Sequence, residues 1–139
     1  MEATLLGKLH HVGFVVRSIE ESLGGFLHSL DSHAATGVIH DPLQQVNVLF
    51  LRTGSAESMI ELVEPAGEKS PVRRFLEKGG GLNHLCYEVA DIEGALERMK
   101  LRAATIVSRP KPAAAFNGRP VAWAVTKEWL LIELLQAER

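Results

Sequence analysis

Cysteine is almost missing from this chain: Cys86 is the only one in 139 residues, so no intrachain disulfide can staple it, and an apolar core must carry its stability. A lone thiol fits a reducing compartment. The leading Met1-Glu2-Ala3-Thr4 shows no basic stretch ahead of an apolar one, so a cytoplasmic location is expected. Long hydrophobic runs are also lacking. The longest, such as Val46-Asn47-Val48-Leu49-Phe50-Leu51, have the length of a strand and not of a membrane span. Neither charge sign is in excess. The net charge is -2 with acids and bases interspersed, which gives no basic field for nucleic acid and no polybasic patch for anionic lipid. The expected partner is a small molecule.

What the chain does have is repetition. His-Val-Gly-Phe-Val-Val-Arg-Ser-Ile-Glu begins at His11, and its counterpart His-Leu-Cys-Tyr-Glu-Val-Ala-Asp-Ile-Glu begins at His84. At nearly the same offset, Ile60-Glu61-Leu62-Val63-Glu64 is answered by Ile132-Glu133-Leu134-Leu135-Gln136. Half of a chain this size is small for an independent core, so the two halves are expected to be obligate partners.

Each half follows the same order of elements. Residues 9–17 alternate as a strand, with Val12, Phe14 and Val16 on one side and His11, Gly13 and Val15 on the other. Ser18 and Glu21 have the form of a capping box opening a helix with the stripe Ile19, Leu23, Phe26 or Leu27, and Leu30, which Gly24-Gly25 should shorten or bend. Strands follow at about 45–53 and 58–64, split by Gly54-Ser55. Pro71 opens a short helix over 72–78 that Gly79-Gly80-Gly81 ends. The second half predicts a strand over 82–90, Asp91 as N-cap, a helix over 92–101, and strands near 104–108, 119–126 and 129–136. The stretch from Arg109 to Gly118, rich in proline and alanine, reads as a lid-like loop.

The chemistry lies in four residues. His11 and His84 sit near the start of the first strand of each half, and Glu61 and Glu133 on the last, flanked by Ile60 and Leu62 or by Ile132 and Leu134. A histidine beside an apolar strand is commonly a hydrogen-bonded core residue, and a single glutamate in a strand commonly faces solvent. Four ionisable residues at matching places of an internal repeat are hard to obtain from independent accidents. If the halves fold alike about a pseudo-twofold axis, two imidazoles and two carboxylates converge as a shell for one divalent metal, with Co, Ni, Mn, Zn or Fe all suited. The second carboxylate argues against a facial triad for oxygen chemistry and for Lewis-acid chemistry.

With these residues in view, the chain resembles the vicinal oxygen chelate superfamily over essentially its full length, and within it methylmalonyl-CoA epimerase and glyoxalase I-like proteins. The resemblance rests on Leu9-His10-His11-Val12-Gly13, Ile60-Glu61-Leu62-Val63-Glu64-Pro65, Ser70-Pro71-Val72 with Phe75-Leu76, Gly81-Leu82-Asn83-His84-Leu85-Cys86-Tyr87-Glu88-Val89, and Leu131-Ile132-Glu133-Leu134. It implies an α+β fold of two paired βαβββ modules forming curved sheets around a metal-containing cavity. The chain would be one domain over 1–139, with module one at about 8–66, a linker helix at about 67–80 and module two at about 81–139. It further implies a metal held by His11, Glu61, His84 and Glu133, and a homodimer. One departure stands out: the epimerases carry an acid/base glutamate just before the strand at 45–53, where this chain reads Asp41-Pro42-Leu43-Gln44-Gln45.

The activity this implies is metal-assisted proton transfer next to a carbonyl, on a coenzyme A or other acyl thioester, with Glu133 as base, Glu61 second, and Asp41 ahead of His40 or Glu88 for the opposite face. A glyoxalase I-type lyase or isomerase and a non-catalytic binding or resistance protein on the same fold are the alternatives. Cys86 reads as a small core thiol, and Arg109, Lys111 and Arg119 as surface charge or as a grip for phosphate or carboxylate.

Overall fold

The computed structural model describes residues 6–138. The chain divides into two compact units, one of His11–Asn83 and the other of the segment up to His10 together with His84 onward. Each is built on the same plan.

In the first unit, β1 (Lys8–Val15, whose first residues belong to the other unit) lies parallel to β5 (Met59–Pro65), which is antiparallel to β4 (Val46–Thr53). Two short strands, β2 (Ser32–Ala34) and β3 (Ile39–Asp41), both pair with β4. Helix α1 (Ile19–Ser29) covers one face. Val16, Ile19, Leu49, Leu51 and Leu62 form its buried core, with Phe14, Leu23, Phe26, Leu27 and Ile60 packed around them. The alternation of β1 is therefore as its sequence requires, with Phe14 and Val16 toward the helix. Ser18 caps α1 by accepting from the Glu21 N–H at 3.2 Å. The glycine pair does not interrupt the helix, which runs through Gly24 and Gly25 to Ser29. A short helix α2 (Arg73–Glu77) follows.

The second unit has the strand order β6 (Gly81–Val89, whose first residues belong to the other unit), β9 (Leu131–Gln136), β8 (Pro120–Val125), β7 (Thr105–Pro112), with β6 parallel to β9 and the rest antiparallel. Helix α3 (Ile92–Leu101), capped by Asp91 on the Gly94 N–H at 3.2 Å, packs on Val89, Ala122, Ala124, Ile132 and Leu134. The expected loop over 109–118 is largely structured. β7 continues through Pro110 to Pro112, which it can do because it is an edge strand and its register shifts at Ser108 and again before Lys111. A single 3-10 turn, Ala114–Phe116, completes the segment. β9 starts two residues later than the pattern predicts, since Trp129 (φ 69°) and Leu130 close the hairpin through Thr126.

Two devices recur in both units. The side chain at the end of the last strand caps the helix: Glu64 Oε1 accepts from the Ile19 N–H at 3.1 Å, and Gln136 Oε1 from the Ile92 N–H at 3.0 Å. A glycine of left-handed φ abuts a strand carbonyl: Gly80 (φ 70°) lies where a Cβ would come within 2.8 Å of the Val15 oxygen, and Gly7 (φ 60°) is crowded in the same way by the Glu88 oxygen.

Gln136 also donates to the part-buried Ala90 carbonyl at 2.7 Å, so Gln136→Ala leaves the buried Ile92 N–H without its side-chain acceptor and should cost about 1–3 kcal/mol. Gln136→Glu, which keeps the bond from Ile92 and loses that to Ala90, should fall between. Urea unfolding midpoints of the three proteins check the order.

Candidate metal centre: two buried histidine–glutamate pairs

Strand pairing brings each histidine to its glutamate. In the first unit the parallel register sets Gly13 opposite Glu61 and the antiparallel one sets Phe50 opposite Glu61, so His11, Glu61 and Phe50 share the sheet face turned away from α1. His11 Nε2 lies 3.3 Å from Glu61 Oε1. Phe50 meets the imidazole edge-on, with centroids 5.2 Å apart and planes at 74°. In the second unit Cys86 and Trp123 both stand opposite Glu133. His84 Nε2 lies 3.4 Å from Glu133 Oε1, and Trp123 meets His84 at 4.7 Å and 79°.

All four ionisable residues are buried, with exposures of 0% for His11, 6% for Glu61, 6% for His84 and 3% for Glu133. Carboxylate and imidazole buried among apolar strands lose several kcal/mol of hydration, which their mutual contact only partly offsets. A divalent cation would supply the compensating charge. The donor set fits one: with metal–ligand bonds of about 2.0–2.2 Å, neighbouring ligand atoms lie roughly 3 to 3.5 Å apart, and each pair presents one imidazole nitrogen and one carboxylate oxygen at that spacing. Nitrogen and oxygen donors without thiolate suit a first-row divalent ion.

The aromatic partners of the histidines are what sequence reasoning missed. Phe50 and Trp123 are spaced along the chain as His11 and His84 are, so the signal was present in the repeat.

The other candidates lie as follows. Asp41 is 2% exposed, and its register with Val46 and Pro65 puts it on the face of His11 and Glu61. Its carboxylate accepts from the Leu43 and Gln44 N–H groups, both at 3.0 Å, and from Gln44 Nε2 at 2.9 Å. His40 pairs with Asn47 on the opposite face, its Nδ1 2.8 Å from Asn47 Oδ1. Glu88 accepts from Arg119 Nη1 at 2.9 Å. Cys86 is fully buried. Arg109 is exposed, 3.9 Å from Glu93 and from Glu97.

A model of the glyoxalase/bleomycin resistance protein/dioxygenase superfamily matches residues 10–123. The chain belongs to this superfamily. It is 35% identical over 137 residues to the ethylmalonyl-CoA/methylmalonyl-CoA epimerase of Cereibacter sphaeroides, a match spanning 95% of this chain and 99% of that protein. The crystal structure of methylmalonyl-CoA epimerase from Mycobacterium tuberculosis superimposes with a TM-score of 0.85 at 23% identity, covering 100% of this chain and 94% of that one. A variant of the Streptomyces coelicolor methylmalonyl-CoA epimerase in complex with 2-nitronate-propionyl-CoA superimposes with a TM-score of 0.81 at 18% identity, covering 96% and 99%. The α+β fold expected of the vicinal oxygen chelate superfamily is the fold of these structures. This chain is an epimerase-type enzyme of that superfamily.

Burial of an ionisable pair for a purpose other than stability has a measurable signature. In chelator, His11→Leu/Glu61→Met should be more stable than the parent by about 1–4 kcal/mol, and adding a divalent metal should stabilise only the parent. Denaturant titrations with and without metal test both statements.

Proposed function

We propose that this enzyme is a metal-dependent epimerase that moves a proton next to the carbonyl of an acyl thioester, with coenzyme A esters as its substrate class. The observation that carries the reading is the doubled pair: buried imidazole and carboxylate at equivalent places of two modules, each spaced for neighbouring ligand positions. His11, Glu61, His84 and Glu133 would together hold one ion of the set Co, Ni, Mn, Zn or Fe, and the modules would work as one domain around it. The names of the Cereibacter relative and of the 2-nitronate-propionyl-CoA complex support an acyl-CoA as the class. A homodimer and a cytoplasmic location belong to the same reading, the latter supported by the lone thiol of Cys86.

A divalent ion in this shell supplies Lewis acidity, which lowers the energy of negative charge developing on a carbonyl oxygen beside the reacting carbon. Glu133 is the base: with Oε1 toward His84 Nε2, its Oε2 takes the α-proton. Glu61 holds the equivalent place in the first module and is the second choice. Epimerisation returns a proton to the opposite face of the same carbon, and Asp41 is assigned to that transfer because it shares a sheet face with His11 and Glu61. Phe50 and Trp123, packed edge-on to the imidazoles, keep water from the two rings.

Metal analysis comes first. After loading, the parent should retain on the order of one ion per chain, and His11→Ala/His84→Ala should retain none; a parent that takes up none of the five metals sinks the reading. Glu133→Gln should slow deuterium uptake at the α-carbon of a malonyl-type thioester by at least about 100-fold, and full exchange in this variant would remove Glu133 as base. Asp41→Asn should keep uptake from one stereoisomer while losing interconversion, followed by chiral analysis of the product.

A further inference from the structure

The second unit holds a half-buried arginine with one edge of its guanidinium unused. Arg119, just ahead of β8, has 21% of its side chain exposed. Its Nη1 donates to Glu88 Oε2 at 2.9 Å and to the Gln136 carbonyl at 3.0 Å, which consumes both protons of that nitrogen. The guanidinium carbon sits 5.7 Å from the centroid of the Phe116 ring, which in turn meets His10 edge-on at 5.2 Å. Among the described residues, Nε and Nη2 of Arg119 donate to nothing. That edge carries the parallel N–H groups that match two oxygens of a carboxylate or phosphate.

A solvated surface cation is the ordinary fate of an arginine, and Arg109, with 56% of its side chain exposed beside Glu93 and Glu97, is such a case. Arg119 differs in three fixed contacts: a carboxylate, a backbone carbonyl and an aromatic face. They remove rotamer freedom in advance, so little entropy remains to be lost when an anion docks. Its anchor also has a definite place. Leu85, Tyr87 and Val89 of β6 face α3, so Glu88 lies on the other face with His84 and Cys86, four residues and roughly 13 Å along the strand from His84. Glu88 cancels the net charge of the pair, so capture would depend on directional hydrogen bonds and not on a long-range field.

We propose that the free Nε–Nη2 edge of Arg119 is a receptor for an oxyanion of the substrate, either a carboxylate on the acyl group or a phosphate of the coenzyme A moiety. The identity of the ligand rests on the acyl-thioester reading above; the receptor itself does not. Arg119 then sets affinity and specificity, and Glu88 and Phe116 position it.

Two measurements on the metal-loaded full chain test this. In nitrogen-15 NMR, malonate or inorganic phosphate should shift an arginine Nε–H resonance that is missing in Arg119→Gln. In turnover, Arg119→Gln should raise KM for a carboxylated acyl-CoA about tenfold or more with kcat little changed, and Arg119→Lys should recover part of the loss. A pantetheine thioester lacking the nucleotide phosphates separates the sources: persistence of the KM effect assigns the acyl carboxylate, and its disappearance assigns the phosphate. The proposal is overturned if neither anion shifts the resonance, or if KM rises by the same factor for a neutral thioester carrying neither group. Absence of turnover on every thioester with an intact anion-induced shift would sink the epimerase reading and leave the receptor standing.

Discussion

Placing a buried carboxylate beside a buried imidazole on one sheet face is the constraint on which both modules are built. Each meets it by strict alternation: one face of the strands goes to the helix, the other to the pair. A slip of one residue in either sheet would carry the glutamate into the helix-packed core and the leucines or isoleucines to the pair face. The strands that bear the four residues keep an unbroken register with their partners in each unit, and the shifts seen in the second unit are confined to the outer strand β7. The irregularity falls on a strand that bears none of the four.

The two modules agree in some parts and differ in others. The agreeing parts are the His–Glu pair, its aromatic neighbour, the helix cap from the last strand and the glycine against a strand carbonyl. These are the parts on which the proposed metal shell rests. The differing parts are the 41–44 turn of the first module, with Asp41 bound to Gln44, and the 109–119 segment of the second, with Phe116 and Arg119. The two modules therefore share their strands and pairs and differ in these two segments.

The repeat made most of this legible before any coordinates. His11, Glu61, His84 and Glu133 stood out because a nearly constant offset repeats residue type as well as hydrophobic pattern. Ser18 and Asp91 were legible as caps because their side chains act within one helical turn. The short strands at 32–34 and 39–41 were not, since such brief segments hold too little alternation and both exist only by pairing with β4. The start of β7 was legible, but its continuation over 109–112 was hidden by Pro110 and Pro112, which break a central strand and are harmless on an edge. The engagement of Arg119 with Glu88 joins segments far apart in the chain and leaves no local pattern to read.

The aromatic partners differ in one respect that chemistry does not require: the first histidine has a phenyl ring and the second an indole. The chain has two tryptophans, and the other, Trp129, stands 86% exposed on the hairpin turn, its indole open to water. Once Trp129 is replaced by phenylalanine, all remaining indole emission comes from the half-buried ring beside His84, while the half-site of His11 is optically silent. The molecule thus carries an intrinsic reporter in only one of two otherwise matching sites, and events at the second can be watched without those at the first.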